Sequence, residues 1–171
     1  MIFAGETDLP TSSFNEIIQN LRTPQQLVHF LKEEFKYVED QKLFGKYEYW
    51  QSPSEFLARR AGDCEDFALF AQYVLLQLGF EAQVVNLYSQ EGYAHTVTIF
   101  RKDGKYHAIN QNRLLDLNAV SLEKALDQIY PYWNWASVAM RKEGFGWPVQ
   151  EIHNPTPVAP PFADPFSEQL F

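Results

Sequence analysis

Apolar positions along this chain follow a helical period first, then a strand period, then a helical one again. In "TPQQLVHFLKEEFKYVED" the residues Leu27, Phe30, Leu31 and Phe35 recur at helical spacing. Thr23 is suited to cap that helix and Pro24 to open it. A brief helix is expected before it, in "TSSFNEIIQNLR", and a short one after it, in "SPSEFLARRAG", capped by Ser52 or Ser54 and stopped at Gly62. Between them, "KLFGKYEYW" is aromatic and reads as extended or looped. The clearest stripe lies in "DCEDFALFAQYVLLQLGF", where Phe67, Phe70, Ala71, Val74, Leu75 and Leu78 share one face and Gly79 ends the helix.

The period then shortens to two. "EAQVVNLYS", "AHTVTIFRK" and "KYHAINQN" read as strands, and Asp103-Gly104 between the last two signals a two-residue hairpin turn. "SLEKALDQIYPYW" reads as a helix stopped at Pro131. The aromatics of "YPYWNW" and "GFGWP" are expected to pack. Residues 1–147 read as one domain, and the proline-rich 148–171 as a tail that wraps the surface or lacks order. Helices, then an antiparallel sheet, then a helix define an α+β fold.

Composition narrows the function. At 46% hydrophobic and 16% aromatic over 171 residues, the chain reads as globular. Its net charge of -8, with no basic run, argues against a nucleic-acid or anionic-membrane partner. No stretch approaches the roughly 20 apolar residues that span a bilayer, so membrane insertion is not expected. The single cysteine rules out an intrachain disulfide and a multi-cysteine zinc site. "MIFAGETDLP" lacks a basic leader and a long apolar run. The expected compartment is cytoplasmic if the chain is full length, and periplasmic or extracellular if a signal peptide has been removed.

That cysteine, Cys64, falls at the first position of the central helix, with Asp63 as N-cap and Asp66 at capping-box spacing. Helix N–H groups there favour a thiolate and can bind an oxyanion. Three neighbouring acids, Asp63, Glu65 and Asp66, oppose that ionisation. A thiolate nucleophile needs an imidazole. A two-residue turn at Asp103-Gly104 puts His95 opposite Asn112, diagonal to Asn110 and on its face, whereas His107 points the other way. Asn110 is then the residue that orients His95, with Asn112 as the alternative, and both side chains are expected to face Cys64.

"GDCEDFA" at a helix start, a strand opening on histidine, and "DGKYHAIN" together resemble the transglutaminase-like superfamily. The upstream stretch "YWQSPSEFLARRAGDCEDFA" is similar to the bacterial transglutaminase-like cysteine proteinases. The resemblance spans residues 48–112 and implies a papain-like core with a Cys–His–Asp/Asn triad, carried here by Cys64, His95 and Asn110. Asn110 departs from the Asp of most relatives. The resemblance also implies an oxyanion donor at Trp50 or Gln51, and a Ca²⁺ held by Asp63, Glu65 and Asp66; no other cofactor is expected. Without the ion, the same acids would serve as helix caps. The expected activity is a thiol hydrolase acting on a peptide or isopeptide bond in a protein or peptide substrate. The alternatives are an acyl transferase with an amine acceptor, and a non-catalytic binding module that retains the fold.

Overall fold

The computed structural model describes residues 11–139 and 149–158. Helices α1 (Thr11–Asn20) and α2 (Pro24–Glu34) lead into a two-residue strand, β1 (Lys36–Tyr37), and the short helices α3 (Asp40–Phe44) and α4 (Pro53–Arg59). Strand β2 (Ala61–Gly62) then feeds α5 (Cys64–Gln77). Strands β3 (Glu81–Tyr88), β4 (Ala94–Lys102), β5 (Lys105–Asn110) and β6 (Arg113–Ala119) follow, then α6 (Leu122–Ile129), β7 (Trp135–Ala139) and β8 (Val149–His153). The architecture is the α+β one expected.

Local chemistry explains the boundaries. The Thr23 side chain accepts from Gln26 N at 3.1 Å. Ser52, not Ser54, caps α4, accepting from Glu55 N at 3.3 Å while Glu55 returns a bond to Ser52 N at 2.7 Å. That helix stops three residues before Gly62, at the left-handed Arg60 (φ 60°), whose guanidinium lies over the rings of Phe30 and Phe35. Helix α5 ends as its sequence predicts. Gly79 takes φ +84° and Phe80 N–H closes onto Leu75 O at 3.0 Å.

The main sheet is antiparallel, in the order β6-β5-β4-β3-β7-β8. Lys102 pairs with Lys105, the register expected of an Asp103-Gly104 turn. A small parallel pair, β1 with β2, stands apart. Helix α5 packs on β3, β4 and β5. On that side Phe35, Phe56, Phe67 and Phe70 interlock, with ring centroids 4.6 Å apart for Phe35–Phe56 and 4.9 Å for Phe56–Phe67. The other face carries Val85, Leu87, Val97, Ile99 and Ala108 against Leu126, Ile129, Tyr130 and Trp133. Each fully buried Val, Leu or Ile among them contributes about 1.5–3 kcal/mol relative to exposure.

Three expectations change. Helix α3, Asp40–Phe44, runs into the start of the aromatic segment expected to be extended or looped. Strands β6 and β7 enlarge the three-strand sheet. Strand β8 pairs with β7 inside the stretch read as a tail, so the sheet continues past residue 147. The aromatics Tyr130 and Trp133 are core, while "GFGWP" lies outside the described residues.

Candidate active site

Cys64 opens α5 behind the extended N-cap Asp63 and is half-buried. Its thiol lies 3.3 Å from Glu65 Oε2 as a donor. Its sulfur in turn receives the backbone N–H of Thr96, in β4. Burial pushes the thiol pKa up, Glu65 pushes it further, the Thr96 N–H opposes the shift, and Asp63 adds to it. A readily ionised thiol is therefore not what this environment alone produces: burial, with Glu65 and Asp63 behind it, holds the proton on.

His95, the second residue of β4, is buried, and its Nε2 lies 2.8 Å from Asn110 Oδ1. An amide oxygen only accepts, so Nε2 carries the hydrogen and Nδ1 the lone pair. Burial lowers the pKa of His95, and the Asn110 hydrogen bond partly offsets that. Asn112 sits in the turn between Asn110 and Arg113, so Asn110 is the residue that meets the ring.

The strand register sets which way these side chains face. Thr98 points to α5, its hydroxyl donating to Ala68 O at 2.6 Å. His95 has the opposite parity and pairs with Leu87, a residue of the α6-side core. His95 and Asn110 thus share a face, but it is the one turned away from α5. What joins them to Cys64 is a gap. The β4–β5 ladder runs from Lys102↔Lys105 to Thr98↔Ile109 and ends there. The hydrogen-bonding groups of even-numbered β4 residues point towards β5, so Thr96 directs its N–H into the unpaired stretch beyond. The His95–Asn110 hydrogen bond spans the same stretch, beyond the last pair Thr98↔Ile109.

The acids divide differently from the set expected of the sequence. Ligand oxygens of Asp40, Asp63 and Glu65 lie within 4.8 Å of one another. Asp40 N–H reaches Asp63 Oδ2 at 3.3 Å, and Asp40 itself accepts from Tyr49 N–H. Asp40 Oδ1 and Asp63 Oδ1 are buried without an N–H or hydroxyl donor. Burial raises the Glu65 pKa to about 9, helped by a hydrogen bond to Asp63 and by its charge. Asp40 is also raised, chiefly by burial. This trio of hard oxygen donors, two with open lone pairs, fits a calcium-type ion.

Asp66 is not part of it. Its carboxylate accepts from Gln51 N at 2.8 Å, Gln51 Nε2 at 2.6 Å and Asp63 N at 3.3 Å. Burial still lifts its pKa to about 6 against those bonds. Asp40 takes its place in the cluster, a residue that sequence reasoning misses because it lies 23 positions from Asp63. Gln51 is buried; its amide also donates to Ala61 O at 3.0 Å and accepts from Arg59 Nε at 3.1 Å. Trp50 is 43% exposed, and its indole donates to Glu48 at 2.6 Å.

A family model described as a transglutaminase-like domain matches residues 11–128, and the chain belongs to that family. The calcium-bound form of LapG from Legionella pneumophila has a similar fold, with a TM-score of 0.55 at 18% identity, covering 98% of this chain and 91% of that one. The EGTA-treated form of LapG gives a TM-score of 0.46 at 17% identity, covering 81% and 89%. A candidate cysteine protease from Cytophaga hutchinsonii gives 0.47 at 15%, covering 95% and 57%. The last two likenesses are too loose to carry an argument. A comparison with the curated proteins finds no match.

Proposed function

We propose that this protein is a thiol hydrolase that cleaves a peptide or isopeptide bond through an acyl-enzyme. The observation that carries the reading is the His95–Asn110 hydrogen bond, 2.8 Å long, at the gap where Cys64 meets β4. His95 Nδ1 takes the thiol proton, and sulfur attacks the substrate carbonyl, forming a C–S bond. The carbonyl electron pair moves to oxygen, where the Cys64 N–H at the helix start receives it. Collapse breaks the C–N bond, and the amine leaves with the imidazolium proton. Water, deprotonated by His95, attacks the thioester; the C–S bond breaks and the thiol regains its proton. Asn110 holds the ring in the tautomer these transfers need.

Asp40, Asp63 and Glu65 would hold a Ca²⁺. Bound there, a dication cancels the carboxylate charge that opposes a thiolate. The LapG structure of similar fold was obtained with calcium.

The test is a peptide library incubated with the protein in millimolar calcium, with new termini read by mass spectrometry. Cleavage lost in Cys64→Ala supports the reading. A glutamine peptide with a labelled amine distinguishes transfer to an amine from hydrolysis. One observation favours a non-catalytic binding module instead, the upward push on the thiol from burial, Glu65 and Asp63. A Cys64 that stays inert to iodoacetamide with calcium present would support that module.

A further inference from the structure

Hydrogen bonds between α5 and the sheet fix which row of the sheet lies against the thiol. Gln72 Nε2 donates to Ala82 O at 3.3 Å, in the row where Ala82 pairs with Phe100. Ala68 O accepts from the Thr98 hydroxyl at 2.6 Å, two strand residues on, where Thr98 pairs with Val84. A step of four helix residues, about 6 Å, thus keeps pace with a step of two strand residues, about 7 Å. One more step back along the helix is Cys64, and the matching row is Asn86↔Thr96. That row is joined through its side chains: Thr96 Oγ1 donates to Asn86 Oδ1 at 2.9 Å, and Asn86 Nδ2 to Ser137 Oγ at 3.0 Å. Helix α5 begins at Cys64. The row after it on the same face, Ala94↔Tyr88↔Trp135, therefore lies past the helix start, about 7 Å along the strands from the row of the thiol.

That row changes character. Tyr88 and Trp135 stack, with ring centroids 3.8 Å apart and planes 9° from parallel. Parallel rings that close sit face to face, so each plane stands across the line joining the two strands. Trp135 takes the Tyr88 face turned to β7. The opposite face looks over Ala94 on β4, an exposed residue with a single methyl for a side chain. Both rings are half-buried. The outcome is a slot with a braced aromatic wall and a low floor. An extended peptide advances about 3.3 Å per residue, so a side chain in the slot belongs to the residue two positions from the carbonyl at Cys64. The geometry points to this slot, Tyr88 backed by Trp135 above Ala94, as the specificity subsite, holding a large apolar or aromatic side chain two residues from the bond that Cys64 attacks. Such side chains gain both burial and ring contact there. This inference rests on the thiol-hydrolase reading and deepens it by naming the substrate class.

The test uses the peptide library in millimolar calcium, with Cys64→Ala as the background, and reads which residues stand two positions to each side of every cut. Peptides matched except for Phe or Ala at the selected position then give a ratio of kcat/KM. The wild type is expected to favour Phe on the order of 10-fold. Tyr88→Ala removes the wall and Ala94→Phe fills the floor; both should bring the ratio towards one while selection at other positions stays as it was. Should Tyr88→Ala fail to fold, Ala94→Phe decides alone. A wild-type ratio of one, or a preference that survives in Ala94→Phe, would overturn the inference and leave the hydrolase reading intact. A preference for Lys or Arg at that position would overturn it too, assigning the ring face to a cation. A wild type that makes no Cys64-dependent cut would sink the hydrolase reading, and this inference with it.

Discussion

Asn110 Oδ1 lies 2.8 Å from His95 Nε2 across a stretch where their two strands have stopped pairing. That bond replaces the missing ladder and fixes the ring. Asn110→Ala should remove it, and with it the bond that partly offsets burial, so that the pKa of His95 falls further below its ordinary value of 6.5. Asn110→Asp should raise it, because a carboxylate favours the imidazolium. NMR titration of the imidazole nitrogens reads both shifts. Under the proposed mechanism, Asn110→Ala should also lose up to the ~10²–10⁴-fold that a general base supplies.

The same histidine sets a pH dependence of stability. Its folded pKa is depressed by burial, so below about 6.5 the unfolded chain binds the proton more readily. The contribution of His95 is therefore complete above that pH and is lost as pH falls through the folded value. Replacing His95 with Gln should flatten this part of a denaturation-versus-pH profile. An unchanged slope would show that other groups dominate it.

Calcium should stabilise the fold over an EDTA control by RT ln(1 + [L]/Kd), about 2.7 kcal/mol at a hundred times Kd, and so raise the melting temperature. Asp40→Asn should reduce that shift. Asp66→Asn should lower stability with and without calcium alike, because Asp66 serves Gln51 and not the open trio. A full calcium shift in Asp40→Asn would return the ion to the three acids expected from sequence.

Gly62 allows the loop to close on Asp66. A Cβ there would lie 2.1 Å from Asp66 Oδ2, 2.8 Å from its Cβ and 2.7 Å from Gln51 Nε2. Gly62→Ala should cost about 1–3 kcal/mol, the range for forced overpacking, in urea denaturation.

Thr98 ties α5 to the sheet through its 2.6 Å bond to Ala68 O. Thr98→Val keeps the shape and removes the donor. A loss of about 0.5–1.5 kcal/mol is expected, again by urea denaturation, and a neutral result would mean that packing alone holds the helix.

Much of the fold and of the candidate site is legible in the amino-acid sequence, because local signals set the elements that matter. The Asp103-Gly104 turn sets the β4–β5 register, and with it the meeting of His95 and Asn110. Asp63 and the apolar stripe set the start of α5 at Cys64. Side-chain faces are harder. Parity shows that His95 and Asn110 agree with each other, but not which face α5 covers. Asp40 is hidden because a loop and α4 separate it from Asp63. Gln51 misleads for the opposite reason: its amide looks available until Asp66 folds back upon it. Strand β6 is faint because its pairing with β5 is broken by an irregularity between Tyr106 and Ala108.

The strand order has a consequence for how the chain reaches this state. From β3 to β6 each strand pairs with the next in sequence, so each pairing closes only a short loop. Strand β7 must return to β3, with Asn86 and Ser137 meeting across 51 positions. Loop-closure entropy rises as about (3/2)RT ln n, so that contact is the dearer one to make first. We expect the β3–β6 meander, with α5 laid on it, to form ahead of β7 and β8. The gap between β4 and β5 would then be assembled in the early, local half of folding, and the far edge of the sheet added to a site already built. Pulse-labelled amide exchange during refolding reads that order directly: protection in β7 arriving before β4 and β5 would reverse it.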